Sequence, residues 1–491
     1  MRRRHSVTRL SVVVAACVCS ALLAGGSAAA AGTQGVVTAR TVASGGTWGT
    51  AEEVPGTAQL NQGGYANISS LACGSAGNCS AVGFYSGAQR RRLAMVVNET
   101  NGTWRSAKEV PGIGALNHGP SAPLGSVSCR SAGNCSAGGS YVDSSDNTQA
   151  FVVSETNGTW GTAEEVPGTA TLDQGGLAVI ESVSCGAAGN CSAGGVYTDS
   201  SGNRQAFLVT ETNGVWGSAE EVPGSGALNA GGVAGLSSVR CRSAGNCTAG
   251  GGYTDASGNF QPFVVSEING TWGTAEELPG IAALDQGGFG EIEVLACGSA
   301  GNCSVGGAYA DASGNDALFV DNQTNGTWGT PEQVPGSAPF SPGEDEFYAM
   351  ACAPAGNCAA GGSYVDSSNN RQAFVVSETN GTWGKQLKVP GTAALNSGEF
   401  ASVYAVSCAS AGNCSAGGSY TDSLSDQQAF VVSEINGTWH GAIEVPGTAV
   451  LNQSGDAAIL AVACTSAGHC SAGGDYYDSS GHFQVFVVNE T

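Results

Sequence analysis

The sequence predicts an all-β fold, an eight-bladed β-propeller of four-stranded antiparallel blades, and three observations carry that expectation. Tryptophan recurs at 48, 104, 160, 216, 272, 328, 383 and 439, so a unit of about 56 residues is written eight times along the 491-residue chain. Cysteines recur in pairs six apart, one pair per unit. Each unit consists of short β-like runs parted by Gly, Asn, Asp and Ser, with no helical periodicity.

The unit spanning 123–168 shows why each element is expected. Residues 123–129 form a short first strand, and Arg130 to Asn134 supply turn chemistry. Residues 135–142 return as a second strand whose paired Gly138-Gly139 implies close backbone approach. A polar turn at 143–147 leads to residues 149–156, the most strand-like run of the unit. Asn157-Gly158 then joins it to a fourth strand, as a type I′ hairpin requires, and Pro167-Gly168 ends that strand before a connector of about a dozen residues. The chain stops at Asn489-Glu490-Thr491, where the repeat would continue with Asn-Gly-Thr-Trp, and its first unit opens on Gly45-Gly46-Thr47-Trp48. Pairing of these two segments would complete the eighth blade and leave no open sheet edge.

Residues 1–31 stand outside the repeat. Arg2, Arg3, Arg4 and Arg9 precede an apolar run over 10–24 and small residues over 27–31, the pattern of a secretory signal peptide. Residues 32–44 are a lead-in, and 45–491 a single propeller. A rival reading takes residues 14–17 as a lipobox, with Cys17 as the lipid-bearing terminus. The expected location is extracellular, free or at the cell surface. In that setting the eight pairs Cys73/Cys79, Cys129/Cys135, Cys185/Cys191, Cys241/Cys247, Cys297/Cys303, Cys352/Cys358, Cys408/Cys414 and Cys464/Cys470 are expected to be local disulfides. Zinc is disfavoured, because no histidine travels with them. A formal charge of −23 argues against nucleic acid and anionic lipid as partners, and no later run has the ~20 apolar residues of a membrane helix.

Gly138-Gly139 in the second strand, Phe151 in the third, Thr156-Asn157 before Trp160, and Pro167 resemble the kelch repeat of the galactose oxidase superfamily, over all eight units. The resemblance implies a propeller, a scaffold that carries oxidases, lectin-like binders and protein scaffolds. The disulfide hairpin and Val82-Gly83 in the first blade depart from it. The stretch 154–160 is similar, more weakly, to a sialidase-type Asp-box.

A copper oxidase site would need clustered ligands, yet His118, His440, His469 and His482 occupy unrelated repeat positions. The glutamate pairs at 52/53, 164/165, 220/221 and 276/277 point to opposite faces of a strand and read as a solvated outer edge. The turns beginning at Asp143, Asp199, Asp255, Asp311, Asp366, Asp422 and Asp478 fit Asx-turns better than calcium loops, which carry a distal bidentate Glu. Asn-Gly-Thr is formally a glycosylation sequon, but it reads as hairpin chemistry. No catalytic residue, metal or cofactor is therefore assigned.

Binding candidates lie on the expected long-loop face. They are the polar connector residues Asn61, Gln62, Asn117, Asp173, Gln174, Asn229, Asp285, Gln286, Asn396 and Asn452, and two breaks in the repeat: Arg90, Arg91 and Arg92, and Glu344, Asp345 and Glu346. Short polar groups among glycines suit hydrogen bonding to sugar hydroxyls. The expected function is a secreted, non-catalytic binding module for extracellular glycan or protein. The alternatives are a carbohydrate-active or oxidative enzyme on the same scaffold, and a structural envelope component.

Overall fold

A computed structural model describes residues 46–337, 345–353, 356–398 and 400–491. The expected signal, its lead-in and Glu344 lie outside the described residues. Eight antiparallel sheets form the blades of a closed ring. In the first blade Ala66–Ser75, Asn78–Ser86 and Arg92–Thr100 pair in order, and the fourth strand is split into Thr103–Trp104 and Lys108–Glu109. First strands of successive blades pack on one another at the axis. The ring closes as expected: Glu52 lies opposite Val487, Glu53 opposite Phe486, and Trp48 bridges to Glu490. The last blade thus takes its outer strand from the start of the chain, and its third-strand edge is covered.

The core lies between blades. Val82, Ala94 and Val96 of the first blade pack with Leu124, Val127 and Phe151 of the second, and the phenylalanine of the third strand recurs fully buried from Phe151 to Phe486, with Met95 in its place in the first blade.

A bulge in every first strand explains the glycine pair. The register skips one residue, between Ile68 and Ser70 in the first blade and between Leu124 and Ser126 in the second. The kink drives a carbonyl into the neighbouring strand, where a Cβ on Gly139 would stand 2.1 Å from the oxygen of Pro123 and one on Gly195 1.9 Å from that of Val179. The first glycine of the pair faces a side chain instead: a Cβ on Gly138 would meet Ile180 of the next blade at 2.6 Å. Because that limit is set by a side chain and not by backbone, Val82 is accommodated in the first blade, against Leu124 and Val127.

The bulged strand leaves backbone N–H groups at its free edge, and serines of the preceding blade accept them. Val183 N–H donates to Ser126 Oγ and Val239 N–H to Ser182 Oγ, each at 3.0 Å, while Cys241 N–H donates to Ser184 Oγ at 2.8 Å.

All eight expected disulfides are formed, each across the first hairpin of its own blade. They join Cys73 to Cys79, Cys129 to Cys135, Cys185 to Cys191, Cys241 to Cys247, Cys297 to Cys303, Cys352 to Cys358, Cys408 to Cys414 and Cys464 to Cys470. Position along the hairpin does not reveal how deep these residues lie, and the structure places the second cysteine of every pair in the core. Cys79, Cys135, Cys191, Cys247, Cys303, Cys358, Cys414 and Cys470 are all buried, so these residues hold the frame and are not exposed site residues. The Cys303 sulfur lies 3.3 Å from Thr248 Oγ1 and the Cys358 sulfur 3.3 Å from Ser304 Oγ, both hydroxyls of the preceding blade. Cys414 packs with Ala359 and Ala373 of the blade before it. Each bridge is thereby pinned between two blades, because the bulge and the glycine pair let the neighbouring strand approach closely.

Asn101 and Gly102 have φ of 50° and 75°, as the expected type I′ turn demands. Gly102 N–H donates to Gly77 O at 2.8 Å, so the Asn-Gly and disulfide hairpins share one face of the ring.

Among the described residues, six connectors hold a single helical turn, such as Thr57–Leu60 and Thr169–Leu172, and a seventh the 3-10 turn Ile281–Ala283. Thr57 Oγ1 donates back to Val54 O at 2.8 Å and fixes the turn. One turn is too short to show a 3.6-residue pattern in sequence.

Candidate functional site

The connectors and the Asp turns share the other face, but most of the expected binding groups there belong to the frame. Asn61, Asn117, Asp173, Asn229, Asp285 and Asn452 are buried, which corrects the expectation that they offer free polar arms. Asn61 Nδ2 donates to Phe483 O at 2.7 Å while its Oδ1 accepts Tyr65 N–H at 2.7 Å. Asp285 accepts Gly288 N–H, Phe289 N–H and Gln261 Nε2. Asn229 and Asn452 donate to the start of a third strand, at Arg204 O and Gln427 O. Asn396 is half-buried, and its side-chain amide donates to Thr421 O and Phe400 O. The following residues Gln62, Gln174 and Gln286 are exposed.

The arginine break divides similarly. Arg91 ties down the next connector through Gly119 O at 2.9 Å and Asn117 O at 2.6 Å, and Arg92 lies over the rings of Tyr65 and Phe84. Arg90 is exposed at a left-handed turn position, φ 58°. In the acidic break, Asp345 is buried and accepts Val365 N–H at 3.3 Å, whereas Glu346 opens a first strand and lies 3.7 Å from Arg371. The Asp turns are Asx-turns: Asp143 Oδ1 accepts Ser145 N–H at 2.7 Å and Asn147 N–H at 3.0 Å. The outer glutamates are not merely solvated, since Tyr141 and Tyr197 donate to Glu165 and Glu221 at 2.9 Å.

The structure also gathers residues that sequence reasoning missed. Ser69, Gly125, Glu181, Ser237, Glu293, Tyr348, Tyr404 and Leu460 are the bulged residues of the eight first strands, at the axial edge of the ring. The frame around them repeats and they do not. Adjacent members touch or reach the neighbouring first strand: the Tyr348 and Tyr404 rings stand 5.5 Å apart, edge to face, and Ser237 Oγ donates to Ile292 O at 3.0 Å. Glu293 accepts Phe347 N–H at 2.9 Å. Tyr348 donates to Glu346, and Arg371 Nη1 reaches the Tyr348 hydroxyl at 3.4 Å. Burial pushes the Glu181 carboxyl up to about 7. Burial, with the charge of Glu291 beside it, raises Glu293 well above the usual range. Aligning the eight units and asking which column of a strand varies would have found this ring.

On the disulfide face a second ring is formed by Glu99, Glu155, Glu211, Glu267, Gln323, Glu378, Glu434 and Glu490, all buried, each opposite or next to its blade's outer tryptophan strand. Its joints are repeated. Ser154 Oγ donates to Glu211 at 2.8 Å and accepts Trp216 Nε1–H at 3.2 Å, and Ser136 Oγ adds a further bond to Glu211 at 2.8 Å. Asn98 plays the same part between Glu155 and Trp160. Burial raises the pKa of Glu155, Glu211 and Glu434, and takes Glu378 to about 7.

No protein-family model matches the chain, and no curated protein matches it. Solved structures that match include a protein of unknown function from Dyadobacter fermentans, with 10% identity over 91% of this chain and 100% of that one and a TM-score of 0.38. The BP39L lectin from Burkholderia pseudomallei shows 14% identity over 77% of this chain and 99% of its own, with a TM-score of 0.38. The β-propeller domain of the Trilobed protease from Pyrococcus furiosus shows 6% identity over 78% and 98%, with a TM-score of 0.41. At such distances, function has to be argued from the site.

Proposed function

We propose that the protein is a secreted, non-catalytic binding propeller that recognises extracellular glycan or protein through the face carrying the long connectors. The observation that supports this most is the axial ring, in which tyrosines, serines and carboxylates vary from blade to blade inside an invariant frame. Aromatic rings beside hydrogen-bonding groups suit a sugar ring, which offers an apolar face and a belt of hydroxyls. Export is supported by eight disulfides and the character of residues 1–31. The kelch-like reading of the repeat belongs to the same proposal, and the bulge gives its glycine pair a physical role. The test is a glycan array and a cell-wall pull-down with wild type, Tyr348→Ala and Glu346→Gln. Capture by wild type and its loss in the variants is expected; absence of capture together with turnover of a sugar substrate would overturn it.

The enzyme reading has one observation in its favour: Glu293, Glu346, Tyr348 and Arg371 come together near the axis, unlike groups at one place. Glycoside hydrolysis abolished in Glu293→Gln with binding retained would establish it.

A further inference from the structure

At five joints of the carboxylate ring on the disulfide face a short polar side chain from the preceding blade bonds both the glutamate and the tryptophan. Asn98, Ser154, Asn322, Ser377 and Asn489 each bond that tryptophan. Each also donates to the glutamate. Thr210 stands in this place between the third and fourth blades and makes neither bond. Glu267 Oε2 and Trp272 Nε1 are left without a hydrogen-bond partner, in side chains only 3% and 9% exposed. Trp48 Nε1 and Glu378 Oε2 are orphaned singly at two other joints, but only at this joint are both atoms orphaned, among the described residues.

A cleft of about 780 Å³ opens beside them, lined by Asn190, Ser192, Thr210, Glu267, Asn269 and Trp272. The corresponding space between the last and first blades, where Asn489 bridges Glu99 and Trp104, is about 210 Å³. The large cleft falls inside the range of about 300–1,000 Å³ typical of small-ligand sites. A carboxylate oxygen there requires a donor and an indole N–H requires an acceptor, each at high cost if unmet. Vicinal hydroxyls present both at the spacing of neighbouring groups, and the indole supplies an apolar edge for the ring that bears them.

We propose that the cleft between the third and fourth blades is a sugar-binding site in which Glu267 accepts from one hydroxyl and Trp272 Nε1–H donates to another. It lies on the face opposite the one invoked above and does not depend on that reading. Thr210→Asn restores the joint that Asn98, Asn322 and Asn489 make and so occupies both orphaned atoms, and Glu267→Gln copies Gln323 of the fifth blade, so both variants suit the fold.

The test uses chain labelled with ¹⁵N-tryptophan, whose Trp272 indole signal is identified with Trp272→Phe, titrated with the methyl glycosides of glucose, galactose and mannose and with N-acetylglucosamine. One of these sugars is expected to shift that signal saturably. Thr210→Asn should weaken the binding by at least about tenfold and Glu267→Gln by a similar factor. A thermal melt confirms that each variant is folded. The proposal is overturned if no sugar moves the signal, if Thr210→Asn binds as wild type does, or if asparaginamide saturates the site and the sugars do not.

Discussion

At the level of single residues, the frame is held by atoms with no room or no alternative partner. Gly195 abuts the carbonyl of Val179, a backbone atom that cannot turn aside, and a Cβ there would sit at 1.9 Å. Gly195→Ala should therefore lower stability by about 3 kcal/mol or more in urea unfolding, well above the usual cost of a surface change. Ser154 serves two buried groups of its neighbouring blade, Glu211 and Trp216. Ser154→Ala should cost about 2 kcal/mol by the same measurement, because both lose a partner while Ser136 continues to bond Glu211.

Among the elements, the first hairpin of each blade combines a bulge, a glycine pair and a disulfide. The bridges lock strands whose glycines offer few side chains for packing, and each closes a loop of sequence separation 6. In the chain-entropy model so small a loop contributes about 2 kcal/mol, so removing Cys129 and Cys135 together should have that modest effect in a denaturant melt. Reduction of all eight bridges should be severe. Peptide mapping under non-reducing conditions should find Cys129 joined to Cys135; a link to Cys185 would contradict the blade assignment.

Across the whole molecule, closure and charge decide stability. Deleting residues 45–55 removes the outer strand of the last blade and uncovers Val485 and Val487, buried in the closed ring. The melting temperature should fall further than for a deletion of similar length in an exposed turn. Glu181, Asp321, Glu378 and Asp475 are all pushed by burial to about 7. For an acid whose folded pKa exceeds its unfolded one, the folded state binds the extra proton. The stabilisation is then complete below the unfolded pKa, near 4, and is lost as pH rises through about 7. Asp311 behaves oppositely: the backbone N–H of Asn315 lowers its pKa, so its contribution is present above 3.8 and lost as the pH falls through its folded pKa. Melting temperature should accordingly be highest in mildly acidic buffer and decline from about pH 5 to pH 8. Glu378→Gln, which copies the neutral Gln323, should flatten that decline.

The repeat, the all-β fold, the disulfide pairing, the Asn-Gly hairpins and the closure between Trp48 and the final strand were legible along the chain, because each follows from local spacing or from periodicity. Which polar residues are free was settled in three dimensions. Asn61 and Asp285 look like available ligand groups in sequence, yet they close their own connectors, since a polar residue next to a one-turn helix satisfies the nearest backbone groups first. The depth of Cys303, Cys358 and Cys414 was likewise hidden, because it depends on the neighbouring blade and not on the hairpin that carries them. So was the place where unlike residues meet. Glu181, Glu293, Tyr348 and Tyr404 are separated by about one repeat or more and come together only because the bulged strands share one axis. Thr210 differs from Ser154 by a methyl group in the sequence; only the ring shows that Glu267 and Trp272 of the next blade are left unmet by the difference.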